Sequence, residues 1–118
     1  QANPDIAILW LYGSRADNSH HAESDYDLAI AFFSFLKNPL ETRLRPEMLA
    51  LEWQSGLNLS ENKLSIVDIN QITIPLAYEV IQYDYVLLCR DYKRLWNEEK
   101  RIYSRMELDI LYSMKKYA

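Results

Sequence analysis

Apolar and polar positions divide the chain into seven elements. An unbroken apolar run, Ile6–Tyr12 (IAILWLY), reads as a strand stopped by Gly13-Ser14. Residues 15–24 are polar and predict a helical turn followed by a loop. Residues 26–33 predict a second strand that is apolar on both faces beyond its aspartates, hence buried on both sides. Pro39 and Pro46 bracket a connection. Pro46 suits a first helical position and Gly56 a stop, which predicts a helix over 46–55. Residues 64–69 (LSIVDI) predict a third strand. Pro75 opens a second helix with Leu76, Ala77, Val80 and Ile81 on one face, and residues 85–89 (YVLLC) form a fourth strand. Over 91–117, Tyr92, Leu95, Trp96, Ile102, Tyr103, Met106 and Ile110 recur with helical periodicity. Strands alternating with helices predict an α/β (α+β) fold, a small mixed sheet flanked by helices, in one domain over residues 1–118.

Composition narrows the class. A chain of 118 residues, 49% apolar and 25% charged, is an ordinary globular domain rather than a disordered or collagen-like one. Seventeen acids against thirteen bases leave a formal charge of −4, which argues against a general nucleic-acid coat. The single cysteine, Cys89, cannot form an internal disulfide and reads as a small core residue. The longest nearly uncharged stretch, 69–82, is too short and too broken by Asn70, Pro75 and Glu79 to span a bilayer, and no leader-like pattern opens the chain. A cytoplasmic domain is expected. Because the sequence opens on Gln1, a short preceding N-terminal element is also expected.

The chemistry is concentrated in Gly13-Ser14, ten intervening residues, and Asp25-Tyr26-Asp27. Gly13 leaves bare backbone at a strand end, where a phosphate can approach, and Ser14 adds a hydroxyl donor. The turn that follows offers free N–H groups to an anion, and Arg15 can add charge. Asp25 and Asp27 stand two apart on a strand, so both carboxylates project from one face. Two adjacent carboxylates need a cation, and Mg²⁺ carrying a nucleotide's phosphates suits them. Chance would produce both halves at this spacing on the order of once in a thousand such chains. Either half alone reads as a plain turn or as solvated acids.

Residues Leu11-Tyr12-Gly13-Ser14-Arg15-Ala16 and Ser24-Asp25-Tyr26-Asp27-Leu28-Ala29 resemble the minimal nucleotidyltransferases of the DNA polymerase β-like superfamily. Residues 64–70, the Pro75 helix and the 85–91 strand extend the resemblance over most of the chain. It implies two Mg²⁺ ions, nucleotide binding at Gly13, Ser14 and Arg15, and transfer of AMP from ATP. It further implies an antitoxin role: adenylylation of a tyrosine hydroxyl on a cognate HEPN ribonuclease toxin. Where the family commonly has Gly, this chain has Asp17-Asn18 and, before the fourth strand, Asp84. Both residue types tolerate a left-handed backbone, so the turns are expected to persist.

The superfamily places a third acid on a neighbouring strand, as base or metal ligand. Asp68, between Val67 and Ile69, fits that description and is expected to join Asp25 and Asp27. Many minimal members instead show two acids three apart here, and the earlier position is Ser65, which leaves a missing base as the alternative. His20-His21 read as exposed loop residues. Lys37, Arg43 and Arg45 read first as solvated charges, with contact to the triphosphate or a partner as the sharper alternative. The C-terminal helix carries more apolar residues than one stripe requires, which predicts a surface for a partner or for a preceding N-terminal segment. Two other functions remain open: an aminoglycoside-type adenylyltransferase, for which the chain lacks a second domain, and a degenerate module that neutralises its partner by binding alone.

Overall fold

The computed structural model describes residues 3–19, 25–57 and 63–117. The strands are β1 (Ile6–Tyr12), β2 (Tyr26–Phe32), β3 (Leu64–Asp68) and β4 (Val86–Cys89). The helices are α1 (Pro39–Gly56), α2 (Ile74–Gln82) and α3 (Tyr92–Tyr117). The sheet runs β3-β2-β1-β4, with β1 antiparallel to both its neighbours and β2 parallel to β3. This is the mixed sheet with flanking helices that the alternation predicts. His20, His21 and Ser24 lie outside the described residues.

Side-chain alternation gives the sheet two apolar faces. On one, Leu9, Leu11, Leu28, Ile30, Phe32, Leu64 and Ile66 pack with Leu49 and Ala50 of α1. On the other, Trp10, Tyr12, Ala29 and Ala31 pack with Ala77, Val80 and Ile81 of α2 and Ile102 of α3. A register shift between Ile6 and Ile8 turns Ala7 and Ile8 onto this second face.

Helix α1 corrects the expected start at Pro46. Asn38 accepts from the N–H groups of Leu40 (2.9 Å) and Glu41 (3.2 Å), and Pro39 sits in the first turn, where its missing N–H costs nothing. Pro46 is therefore interior, buried against the sheet among Leu49, Ala50 and Gln54. Gly56 is the last helical residue rather than the stop, and the Leu57 N–H closes the helix on the Trp53 carbonyl at 2.9 Å. The two replaced glycines behave as expected: Asn18 and Asp84 adopt positive φ of 63° and 52°.

Helix α3 is clamped to the C-terminal ends of β2 and β3 by one buried carboxylate. Glu98 Oε2 accepts from Arg94 Nε at 2.8 Å, and Oε1 accepts from Arg101 Nη2 at 2.8 Å. Asn70 Nδ2 donates to both oxygens. Arg94 also donates to the Phe32 carbonyl at 2.9 Å, and Arg101 to the Ile69 carbonyl at 3.3 Å. Burial alone would raise the Glu98 pKa, but the hydrogen bonds from Asn70, Arg94 and Arg101 outweigh it and hold the group below its ordinary 4.5. A depressed pKa stabilises the fold above the unfolded-state value, and that stabilisation is lost as pH falls through the lower folded value. Replacing Glu98 by Ala strands two cations in a part-buried site and is expected to destabilise the fold by about 3–5 kcal/mol at pH 7, measured by urea denaturation. The penalty should shrink on acidification below about pH 4; a pH-independent penalty would refute the charge-based account.

Candidate active site

Strand pairing assembles the site. The antiparallel register sets Tyr12 opposite Asp27, so the chain leaving β1 at Gly13 passes directly over the Asp27 carboxylate. Gly13 has φ +77°, and a Cβ placed on it would fall 2.6 Å from Asp27 Oδ2. Glycine is thus required twice, by a left-handed backbone and by a close approach. Residues Gly13–Arg15 form a 3₁₀ turn, with the Ala16 N–H on the Gly13 carbonyl at 3.0 Å. Ser19 then closes the loop on the Ser14 carbonyl at 3.1 Å. The sequence-predicted Gly13, Ser14, Asp25 and Asp27 therefore meet at one end of the sheet.

Two predicted residues do not join them. The parallel register pairs Asp27 with Ser65 and Ile30 with Asp68. Asp68 is thus three residues further along the sheet, roughly 10 Å, and on the opposite face. It is buried on the α1 side, accepts from the Asn70 N–H at 2.9 Å and lies 3.7 Å from Arg45 Nη2. The expectation that Asp68 completes the acidic group is corrected: it caps the end of β3 and anchors α1. The position in line with Asp27 belongs to Ser65, which is exposed. Arg15 likewise turns away from the nucleotide-binding place expected for it. Its guanidinium lies 4.2 Å from the Tyr26 ring, whose side chain alternates onto the face opposite Asp27.

Two of the basic residues, Arg43 and Arg45, lie behind the sheet. Arg45 stacks 3.8 Å over the Phe32 ring and binds Ser34 and Asp5, all behind the sheet. Arg43 lines a recess of about 590 Å³ on the same α1 side, together with Ile66 and Asp68. Neither reaches the Asp27 face.

Glu79 of α2 is the residue that sequence reading missed. Asp27 has its carboxyl pushed above the ordinary range by burial, then by the charges of Asp25 and Glu79. Tyr12 is pushed up to about 12 by burial, then by Asp27 and Glu79. Glu79 escaped notice because the Pro75 helix was informative only for its apolar face. The only available signal was an acid two residues after Ala77 and one before Val80, beside the core stripe.

A half-buried carboxylate crowded by two further acids suits a cation. Among the described residues no group of three His, Cys, Asp or Glu is close enough to hold a metal by itself. Two carboxylates beside a backbone cradle fit Mg²⁺ nonetheless, because that ion characteristically takes one or two protein carboxylates and completes its shell with phosphate oxygens and water. Asp25 and Asp27 would hold it.

The family follows from comparison. Residues 1–93 match the model of the polymerase beta nucleotidyltransferase family, and the chain belongs to that family. A comparison with curated proteins finds no match. Among solved structures, a chain of a toxin–antitoxin complex with AMP-PNP superposes with a TM-score of 0.67 at 18% identity, covering 98% of this chain and 88% of that one. A chain from a complex of a tri-AMPylated Shewanella oneidensis HEPN toxin with its MNT antitoxin gives 0.62 at 16% identity, with 98% and 85% covered. A chain of the MntA–HepT toxin–antitoxin complex gives 0.63 at 16%, with 98% and 86% covered. At these identities the likeness establishes the fold, the polymerase β-like nucleotidyltransferase fold. No helix among the described residues is long and apolar enough to cross a membrane.

The raised Asp27 pKa carries a stability consequence. A group whose folded pKa exceeds its unfolded value favours the fold at pH below the unfolded value, and that contribution disappears as pH rises through the folded one. In the absence of divalent metal, Asp27→Asn is therefore expected to raise the melting temperature at about pH 7 and to have little effect below about pH 4. Thermal melts at both pH values check this; a lower melting temperature at pH 7 would mean that the carboxylate is needed by the fold itself.

Proposed function

We propose that this chain is an antitoxin that transfers AMP from ATP to a tyrosine hydroxyl of a cognate HEPN ribonuclease toxin. The observation that carries this reading is the bare Gly13 backbone held over Asp27, with Asp25 beside it, in a member of the nucleotidyltransferase family. The toxin–antitoxin complexes that share the fold, one with an AMPylated HEPN toxin, support the choice of acceptor and partner.

In this reading the backbone N–H groups and hydroxyl of the Gly13–Arg15 turn bind the triphosphate, and Asp25 and Asp27 hold Mg²⁺. Bound Mg²⁺ supplies Lewis-acid stabilisation of charge on the transferring phosphoryl group. The tyrosine oxygen forms the new bond to the α-phosphorus as the bond to the pyrophosphate oxygen breaks; pyrophosphate leaves with that electron pair and the phenolic proton passes to solvent. Asp68 takes no part, and β3 presents Ser65 rather than a carboxylate to the reacting face.

Incubation with labelled ATP, Mg²⁺ and the purified HEPN partner tests the reading. Label is expected on the partner. Asp27→Asn should lower transfer by orders of magnitude, whereas Asp68→Asn should leave the rate per folded molecule within a few-fold. Transfer undiminished in Asp27→Asn would sink the assignment. Ser65 favours one second reading, neutralisation by occlusion without chemistry; an unlabelled yet fully inhibited partner would establish it.

The partner is expected to dock on α3. Beyond buried Ile102 the helix continues to Tyr117, with Leu108 and Leu111 59% and 53% exposed. Leu108→Glu with Leu111→Glu should weaken toxin binding at least tenfold and leave Mg–ATP binding unchanged, by calorimetric titration. Unaltered toxin affinity would move the docking surface elsewhere.

A further inference from the structure

The exposed side of α2 carries a recess of about 370 Å³ lined by Tyr78, Glu79, Gln82 and Tyr83. That volume is at the small end of small-molecule sites. Its walls are already organised. The Tyr78 ring meets Tyr103 edge-on, with centroids 5.6 Å apart, and Gln82 Nε2 lies 3.2 Å from the Tyr103 hydroxyl. Tyr78 and Tyr83 pack against the core cluster that contains Tyr12. The backbone places the recess beside the phosphate cradle: after the left-handed turn at Asp84, the Tyr85 carbonyl accepts from the Leu11 N–H at 2.9 Å, two residues before Gly13. Glu79 and Tyr83 both lie within the electrostatic reach of Asp27.

We propose that this recess is the base subsite for the transferred nucleotide, with the ring stacked on Tyr83 and an exocyclic amine of the base donating to the Glu79 carboxylate. The proposal rests on the nucleotidyl-transfer reading and adds the element which that reading lacks, the determinant of base selection. An aromatic wall gives affinity for any base, because every base has a π-face. A carboxylate accepts only from a donor, so it distinguishes an amino-bearing base such as adenine from uracil, which presents a carbonyl at the corresponding edge. The acid also disfavours the triphosphate at this spot, which directs the phosphates to the Gly13–Arg15 turn and the base to α2.

Calorimetric titration of the whole chain with Mg–ATP, Mg–UTP and Mg–tripolyphosphate tests this. Tripolyphosphate reports the cradle alone, and the excess affinity of ATP over it reports the subsite. ATP is expected to bind at least tenfold tighter than tripolyphosphate and tighter than UTP. Tyr83→Leu keeps apolar packing against the core but removes the aromatic face, and should bring ATP down towards tripolyphosphate without changing the latter. Tyr83→Phe should retain ATP affinity. Glu79→Gln should narrow the gap between ATP and UTP. Unchanged ATP affinity in Tyr83→Leu, with tripolyphosphate still bound, would overturn the subsite and leave the transfer reading standing. Failure of the native chain to bind either ATP or tripolyphosphate strikes at the transfer reading, and the subsite falls with it.

Discussion

The antiparallel pairing of β1 with β2 is the constraint on which the site depends. It brings the end of one strand over the beginning of the next and sets Tyr12 opposite Asp27. The chain must then cross the Asp27 carboxylate with no room for a side chain, which only Gly13 permits. A one-residue slip would turn Asp27 onto the α1 face and move Leu28 and Ile30 off it. The apolar partition of the two faces prevents that slip, so the core specifies the site's geometry as well as its stability.

The two ends of the sheet are electrostatic opposites. At the C-terminal ends of β2 and β3, Glu98 is paired and hydrogen-bonded by Arg94, Arg101 and Asn70, and its charge stabilises the fold. At the N-terminal end of β2, Asp27 is crowded by Asp25 and Glu79. A part-buried carboxylate among like charges destabilises the empty protein, and a bound cation offsets that cost. In the proposed function, cation binding and stability would be coupled through that one carboxylate, while the fully satisfied end anchors α3.

On β3, Ser65 occupies the position opposite Asp27. A serine hydroxyl can donate to or accept from a phosphate or an acceptor, yet it cannot hold a proton as a carboxylate does at neutral pH. Glu79 enters the same electrostatic neighbourhood from α2 rather than from the sheet. In the proposed reaction, rate enhancement would rest mainly on positioning and charge stabilisation, which need no protein base.

The sequence by itself determined the elements and half of the site. Continuous apolar runs marked β1 and most of β2, because a strand buried on both faces has nothing polar to interrupt it. Gly13 and the spacing to Asp25 and Asp27 were legible because backbone conformation and strand alternation are local properties. Asn18 and Asp84 were recognisable as left-handed positions for the same reason. The start of α1 was misplaced because two prolines compete for a helix opening, and the choice of Pro39 was made by the Asn38 side chain folding back onto two amides. What only the tertiary structure decided was everything set by register between strands far apart in sequence. Asp68 and Ser65 differ by three positions, an odd number, so they face opposite sides of the sheet, and only the pairing of β3 with β2 reveals which one shares a face with Asp27. The place of Glu79 is non-local as well: an acid beside an apolar helix stripe acquires meaning only when that helix is laid across β1.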